Sequence, residues 1–306
     1  MKARNSKNAQ GIDISHHNGN VNWAKVKADG ISFAFLKASE GQTYKDDTFA
    51  DHVINAREAG ILVGAYHFVR AVSEDEAKAE AANFNDAIQA AGGIDGLDLP
   101  PVMDYENNPS RLSKERISAV AAAFLSEIER LTGVRPIVYT GNFFAANFGA
   151  PIGKYPLWIA RYSTVAPSNT TAWSRWDFWQ YSDGQSGGLR SNGGRRVDGV
   201  SGFPDLNEYD GTLEEMKKRF TQTKETVDKM AERDIDKVSA WAEEAWAEAT
   251  ANGYFDGTRP GAPITREETA AVINRIRTNF LRLIAGNVAD IKALERRLSE
   301  IEKEDK

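Results

Sequence analysis

The 306-residue chain contains no cysteine, so no disulfide can staple it and no thiolate can serve as nucleophile or metal ligand. Histidine is scarce as well. The four present are too few and too scattered to suggest a zinc centre, and no metal or other cofactor is expected. No apolar run approaches the roughly 18 residues of a membrane-spanning helix. The opening stretch MKARNSKNAQ is basic, but no apolar segment follows it, so no secretory signal is recognisable. Positive charge is not in excess either. The 38 basic and 44 acidic residues leave a net charge of -6, which argues against a general nucleic-acid binder. What is there is an ordinary globular composition, 41% hydrophobic and 27% charged, with a mean hydropathy of -0.49. The length favours two domains over one.

Eight runs rich in β-branched and aromatic residues predict strands in the first 210 residues. They are Gly11–Ser15, Ile31–Ala38, Ile61–Val69, the stretch LPPVMDYE from Leu99 to Glu106, Arg135–Gly141, Pro156–Tyr162, Trp176–Ser182 and Phe203–Tyr209. Helical patterns separate the early ones. Residues 46–60 show apolar spacing of three and four and end at Gly60, a C-cap signal. Residues 73–93 open with Ser73 and Glu76, a capping-box pair. Residues 113–133 open at Ser113 and end at Gly133. Strand and helix alternate about five times, and the last three strands are joined by loops with weak helical signal. This predicts an α/β barrel whose final segments have lost their helices.

After Gly211 the chain becomes polar and helix-prone. The expected organisation is a barrel over residues 1–212, a helical linker over 213–234, a helix–turn–helix region over 235–280 and a terminal helix over 281–306. In the terminal segment Leu281, Ile284, Val288, Ile291 and Leu298 recur at three-four spacing. That is the pattern of a short coiled coil, and so of a homo-oligomer, or equally of a helix packed on its own domain.

Barrel enzymes place their chemistry at the C-terminal ends of the strands. Those positions hold Asp13 with Ser15, Lys37 with Glu40, Tyr66 with His67, and Asp104 with Glu106. They continue with Tyr139, with Trp158, Ala160 and Tyr162, with Trp179 and Gln180, and with Asp205. One acid at a strand end is more often a helix cap, so the convergence over eight strands is the signal. Acids and aromatics without a metal cluster suit carbohydrate, because ring faces stack on sugars and paired carboxylates cleave glycosidic bonds. Asp104 and Glu106 would share one side of their strand, about 7 Å apart at Cα. A like charge nearby, or partial burial, lets one of them keep its proton. The flanking Pro100, Pro101, Val102 and Met103 mark a buried element rather than an edge strand with surface acids.

The segments GIDISHHNG, FLKASEG, GAYHF, LPPVMDYE, RPIVYTG, LWIARY, FWQYS and PDLNEY follow one another in this order. Over residues 9–212 they resemble the family 25 glycoside hydrolases, lysozymes that act as N-acetylmuramidases on bacterial peptidoglycan. The resemblance implies a flattened, TIM-like barrel of five βα units plus three further strands, here followed by a small all-α C-terminal region. It implies Glu106 as the general acid, Asp104 as its partner, and Asp13 and Asp205 as further acids lining the groove. It also implies substrate contacts or orienting roles for Lys37, Tyr66, Tyr139, Trp158 and Gln180, and Tyr162 and Trp179 are added to the substrate-binding set from their place at the rim. The family's usual aliphatic residue between the two acids is replaced by Tyr105, whose side chain is expected to face away from them. An Asp-x-Glu pair suits a reaction assisted by the substrate's own acetamido group, and a covalent glycosyl-enzyme is the alternative.

The stretch AWAEEAWAEATANGYFDGTRPGAPITREETAAVINRI resembles one repeat of the S-layer homology type. Such repeats bind cell-wall polymers, usually as three copies, so a secondary wall polymer is an expected partner beside peptidoglycan. Thr265 and Glu268 would cap its second helix. A basic loop with Arg190, Arg195 and Arg196 precedes the last strand and could meet anionic wall groups or be simply solvated. A muramidase joined to such a tail resembles a phage endolysin, made in the host cytoplasm, released at lysis and acting on the wall. A bacterial autolysin, a chitinase-like hydrolase and a non-catalytic wall-binding protein are the alternatives.

Overall fold

The computed structural model describes residues 1–184, 194–220, 238, 243–258 and 266–304. The chain divides into two units, Met1–Thr226 and Val227–Lys306.

The first unit is built on one sheet. Its strands are β1 (Gln10–Ile14), β2 (Phe33–Glu40), β3 (Tyr44–Lys45), β4 (Leu62–Phe68), β5 (Val102–Asp104), β6 (Ile137–Gly141), β7 (Leu157–Ala160), β8 (Phe178–Ser182) and β9 (Asp205–Tyr209). The sheet runs β1-β9-β8-β7-β6-β5-β4-β2-β3, and a parallel pairing of β1 with β2 closes it into an eight-stranded barrel with β3 as an extra strand. Neighbouring strands are parallel from β1 through β2 and β4 to β8, while β9 runs antiparallel to both β8 and β1. The TIM-like α/β barrel is thus as the strand pattern predicts, closed by one reversed strand.

Four helices cover the early crossovers: α1 (Trp23–Ala28), α2 (Phe49–Glu58), α3 (Glu74–Ala90) and α4 (Lys114–Thr132). Residues 213–220 form a further helix, α5. The Ser73 hydroxyl accepts from the backbone N–H of Glu76 to start α3. Gly133 ends α4 in the left-handed conformation, where a side chain would be strained. Between β6 and β7 only short 3-10 turns form, Phe144–Asn147 and Ala150–Lys154.

Side chains alternate along each strand between two cores. Outward residues such as Leu36, Val63, Met103 and Val138 pack under the helices. Inward residues, chiefly Phe33, Phe35, Tyr139, Trp158 and Phe178, fill the barrel. Phe35 stacks on Trp158 at 4.3 Å between ring centroids, and Phe33 meets Phe178 edge-on at 5.3 Å. Rings this large leave no room for some neighbours, so Gly11 and Gly64 occupy the positions facing Phe33 and Phe35. The barrel's two ends in sequence are tied together. Lys2 pairs with Asp210, Arg4 with Glu208, and the Trp176 indole donates to the Lys2 carbonyl.

In the second unit, α6 (Glu243–Ala251) is followed by α7 (Arg266–Glu304). Trp246 packs on Phe255 at 5.1 Å, and Arg275 and Asn279 of α7 donate to the carbonyls of Tyr254 and Asn252. The boundary drawn at residue 280 falls inside α7, which is one continuous helix of 39 residues. Thr265, its expected cap, lies outside the described residues. Ile273, Phe280, Leu281, Ile284, Val288, Ile291 and Leu294 on this helix are exposed.

A methyl group at Gly64 would sit 2.6 Å from the Phe35 ring. Gly64→Ala should therefore destabilise the barrel by about 1–3 kcal/mol through overpacking. A thermal melt should show the loss, and an unchanged midpoint would mean that the ring can move aside.

Candidate active site

The groove lies over the C-terminal ends of the parallel strands, and β9, being reversed, brings its first residue to the same rim. Asp13 and Asp205 are directly paired in the β1–β9 register. Asp13 Oδ2 accepts hydrogen bonds from Gln180 Nε2 at 2.9 Å and Asn207 Nδ2 at 2.7 Å. Burial, then the charge of Asp13 and a hydrogen bond to it, push Asp205 up to about 9. Asp205 therefore holds a proton at neutral pH and donates it toward Asp13. Asn207 also accepts from the Trp158 indole at 2.8 Å, so one amide links the acid to the aromatic floor.

Asp104 ends β5 and is buried. Its Oδ1 has no hydrogen-bond partner. Burial first, then the charges of Glu106 and Asp13, hold its carboxyl well above the usual range, with Lys37 opposing. The strand stops there, but its alternation continues for two residues. Tyr105 turns outward against Phe144 and Phe148, and Glu106 returns to the groove. Glu106 is exposed. The wall around its carboxyl and the charge of Asp13 raise its pKa, while the neighbouring Tyr139 hydroxyl opposes the rise. A cleft of about 830 Å³ opens beside it, lined among others by Tyr139, Phe143, Arg161 and Tyr162.

The remaining candidates fall into three groups. Tyr139 and Tyr162 both donate to Gln180 Oε1, at 2.8 and 3.2 Å, which turns the amide so that its N–H reaches Asp13. Burial, followed by the charges of Asp13, Asp104 and Asp205, keeps the Tyr66 hydroxyl protonated as a donor. Lys37 faces the groove and pairs with Glu40 at 2.5 Å. Trp158 is only 2% exposed, so it supports the floor and offers no free ring face. Trp179 does not reach the groove. It faces the outer core, packs on Trp176 at 5.7 Å and donates its indole N–H to the Arg161 carbonyl. The alternation of β8 gives the inward place to Gln180. Asn207 was not anticipated, although its spacing of two from Asp205 on one strand was the available signal. In the basic loop Arg195 pairs with Asp29 and Arg196 covers the Phe203 ring, while Arg190 lies outside the described residues. Among the described residues no cluster of His, Asp or Glu could hold a metal ion.

Four acids whose pKa values are all raised, gathered in an open groove on a barrel, suit the acid chemistry of a glycoside hydrolase. Residues 12–188 match the model of the glycosyl hydrolases family 25. Lysozyme M1 of Streptomyces globisporus is 37% identical over 215 residues, covering 66% of this chain and 68% of that protein. The N,O-diacetylmuramidase of a Chalaropsis species is 30% identical, over 60% of this chain and 92% of that one. Among solved structures, the bacterial lysozyme from Streptomyces coelicolor superposes with a TM-score of 0.60 at 32% identity, covering 72% of this chain and all 100% of its own. The chain belongs to glycosyl hydrolase family 25, and it is a lysozyme whose substrate is peptidoglycan.

The raised pKa of Asp205 has a sign that can be checked. Its contribution to stability is full below the ordinary carboxylate value of 3.8 and is lost as pH rises through about 9. Asp205→Asn keeps the donor to Asp13 without the ionisation. Its melting temperature should gain on that of the parent progressively between mildly acidic pH and pH about 9. A constant difference across a calorimetric pH series would contradict the shared proton.

Proposed function

We propose that the chain is an N-acetylmuramidase that cleaves the β-1,4 bond after N-acetylmuramic acid, with Glu106 as proton donor and Asp104 as its partner. The observation that carries this is the contrast between two acids with raised pKa values. Glu106 is open to the cleft, whereas Asp104 is buried with an unpartnered oxygen. Only Glu106 can meet the leaving oxygen. The substrate's acetamido N–H gives Asp104 Oδ1 the partner that it lacks. A donated hydrogen bond favours the ionised carboxyl, so binding leaves the pair's proton on Glu106. The acetamido oxygen then attacks the anomeric carbon as Glu106 protonates the departing oxygen, and Asp104 stabilises the cationic ring. Water, deprotonated by Glu106, opens that ring and restores the configuration. Asp13 and Asp205 share a proton at the groove edge, while Tyr66, Tyr139, Tyr162, Gln180 and Lys37 orient the acids and the sugar.

The second unit is proposed as a wall-targeting element, with secondary wall polymer as its ligand and self-association through α7 as the source of multiple copies. Its support is the likeness of residues 240–276 to one S-layer homology repeat and the exposed apolar side chains of α7. The setting proposed is a phage endolysin made in the host and released at lysis. The pairing of a muramidase with a separate helical unit supports it, and a gene neighbourhood of wall-synthesis genes rather than phage lysis genes would favour an autolysin.

Glu106→Gln should lower lysis of peptidoglycan by about 10²–10⁴-fold, and full activity would remove the assignment. Mass spectrometry of the parent's digest should show muramic acid at the new reducing ends, and a trapped glycosyl-enzyme ester would exclude acetamido assistance. Inactive Glu106→Gln chain should sediment with walls, and a chain ending at Thr226 should do so less. Equal retention would remove the targeting role.

A further inference from the structure

On the outer face of the barrel, away from the groove, lies a polar set that the reaction does not touch. Ser39, His67 and Glu80 are all buried. The Ser39 hydroxyl lies 2.8 Å from His67 Nδ1, and His67 Nε2 lies 3.1 Å from Glu80 Oε2. Burial holds the imidazole below its ordinary range, against the pull of Glu80, so the ring is neutral. Nε2–H then donates to Glu80, and the Ser39 hydroxyl donates to Nδ1. In an open cleft this order of groups would activate a nucleophile. Here the Phe84 and Phe124 rings of α3 and α4 pack on the histidine at 5.5 and 5.1 Å, and no substrate reaches the serine.

What this relay touches is a break in the sheet. β2 pairs with β4 as Lys37 with Tyr66, then Ser39 with His67 and Glu40 with Phe68, so Ala38 is the extra residue of a bulge. Up to that point Phe33, Phe35 and Lys37 face inward and Leu36 faces outward. Unbroken alternation would turn Ser39 inward and Glu40 outward. The bulge reverses both. Ser39 meets His67 outside, and Glu40 turns toward Lys37, its Oε2 standing 2.5 Å from the Lys37 ammonium. The other oxygen of Glu40 accepts from Arg70 Nε at 2.9 Å and from its second guanidinium nitrogen at 2.6 Å. The backbone N–H of Arg70 in turn donates to Glu80 Oε2 at 3.0 Å. One buried carboxylate oxygen therefore anchors both arms that end on Glu40, one through His67 and Ser39 and the other through Arg70.

We propose that Ser39, His67 and Glu80 are positioning residues for the hydrolysis, fixing the β2 bulge so that Glu40 holds the Lys37 ammonium beside Asp104. The inference rests on Asp104 acting in its ionised form. Lys37 is in register with Tyr66 on β4, and two residues on Phe68 is in register with Asp104 on β5. Both charged groups therefore stand at the same end of the strands that flank β4, where Lys37 opposes the rise in the Asp104 pKa. The groups facing His67 are Ser39 from β2, Glu80 and Phe84 from α3 and Phe124 from α4, with Lys37 and Glu40 further along β2. None of them reaches the substrate through His67 itself, so the relay acts only by placement.

The test is the pH dependence of kcat on soluble peptidoglycan fragments. Lys37→Met should move the acidic limb to higher pH, by about one unit. Ser39→Ala removes one hydroxyl and should move the same limb in the same direction by a smaller amount, with a cooperative melt retained. The double variant should show the shift of Lys37→Met alone. Glu80→Gln should act like Ser39→Ala, and where it fails to fold the serine variant decides. If Lys37→Met moves the limb and Ser39→Ala does not, the relay is overturned while the Asp104 reading stands. If the two shifts add, the relay acts by another route and the proposal falls. An unmoved limb in Lys37→Met overturns the ionised Asp104 and the proposal with it.

Discussion

Four carboxyl groups at the mouth of one barrel repel each other, and the structure is arranged around keeping them together. Asp13, Asp104 and Asp205 each have their pKa raised first by burial, and Glu106 by the groove wall. The floor beneath them is aromatic, with Phe35, Trp158 and Phe178 in contact, and so it offers no water to disperse charge. Neutral donors meet the acids instead. Gln180 and Asn207 reach Asp13, and the hydroxyl of Tyr139 neighbours Glu106. One cation, Lys37, bears on Asp104 and is itself restrained by Glu40. The cost of assembling like charges is thus met by protons held on some acids and by dipoles aimed at others, which is the asymmetry that acid catalysis needs.

The strand ends carrying the acids were legible because a barrel converts sequence order into a ring. Runs such as ILVGAYHFV and RPIVYTG marked the strands, and the residue types at their ends marked the chemistry. Facing was legible wherever a strand kept a plain period of two. It failed at Trp179, because aromatics occupy both faces of this strand, Phe178 on one and Trp179 and Tyr181 on the other, and composition alone does not say which face lines the groove. Bulges are invisible to periodicity, so neither the extra residue at Ala38 nor the outward turn of Ser39 could be read. Asn207 went unnoticed because an amide carries no charge signal, although it joins Asp13 to Trp158. Strand direction was equally silent, and only the pairing shows that β9 is reversed.

The two units owe their order to different sources. The barrel has large rings facing glycines, tightly interleaved between inner and outer cores. Among its described residues the second unit shows one ring pair, a few side chain-to-carbonyl bonds and a helix of 39 residues. Family membership is carried wholly by the first, since the matched span ends at residue 188. Even there it stops short of β9, the strand that delivers Asp205.

That strand has a kinetic consequence. β1 and β9 pair Gln10 with Glu208 and Asp13 with Asp205, so the ring closes between opposite ends of the barrel sequence. Contacts this distant in sequence form late and slowly. On a ribosome, Asp13 is made before nearly all of the barrel and must wait for β9 to emerge before its proton-sharing partner exists. The ring of acids is therefore completed last, when β9 closes the barrel.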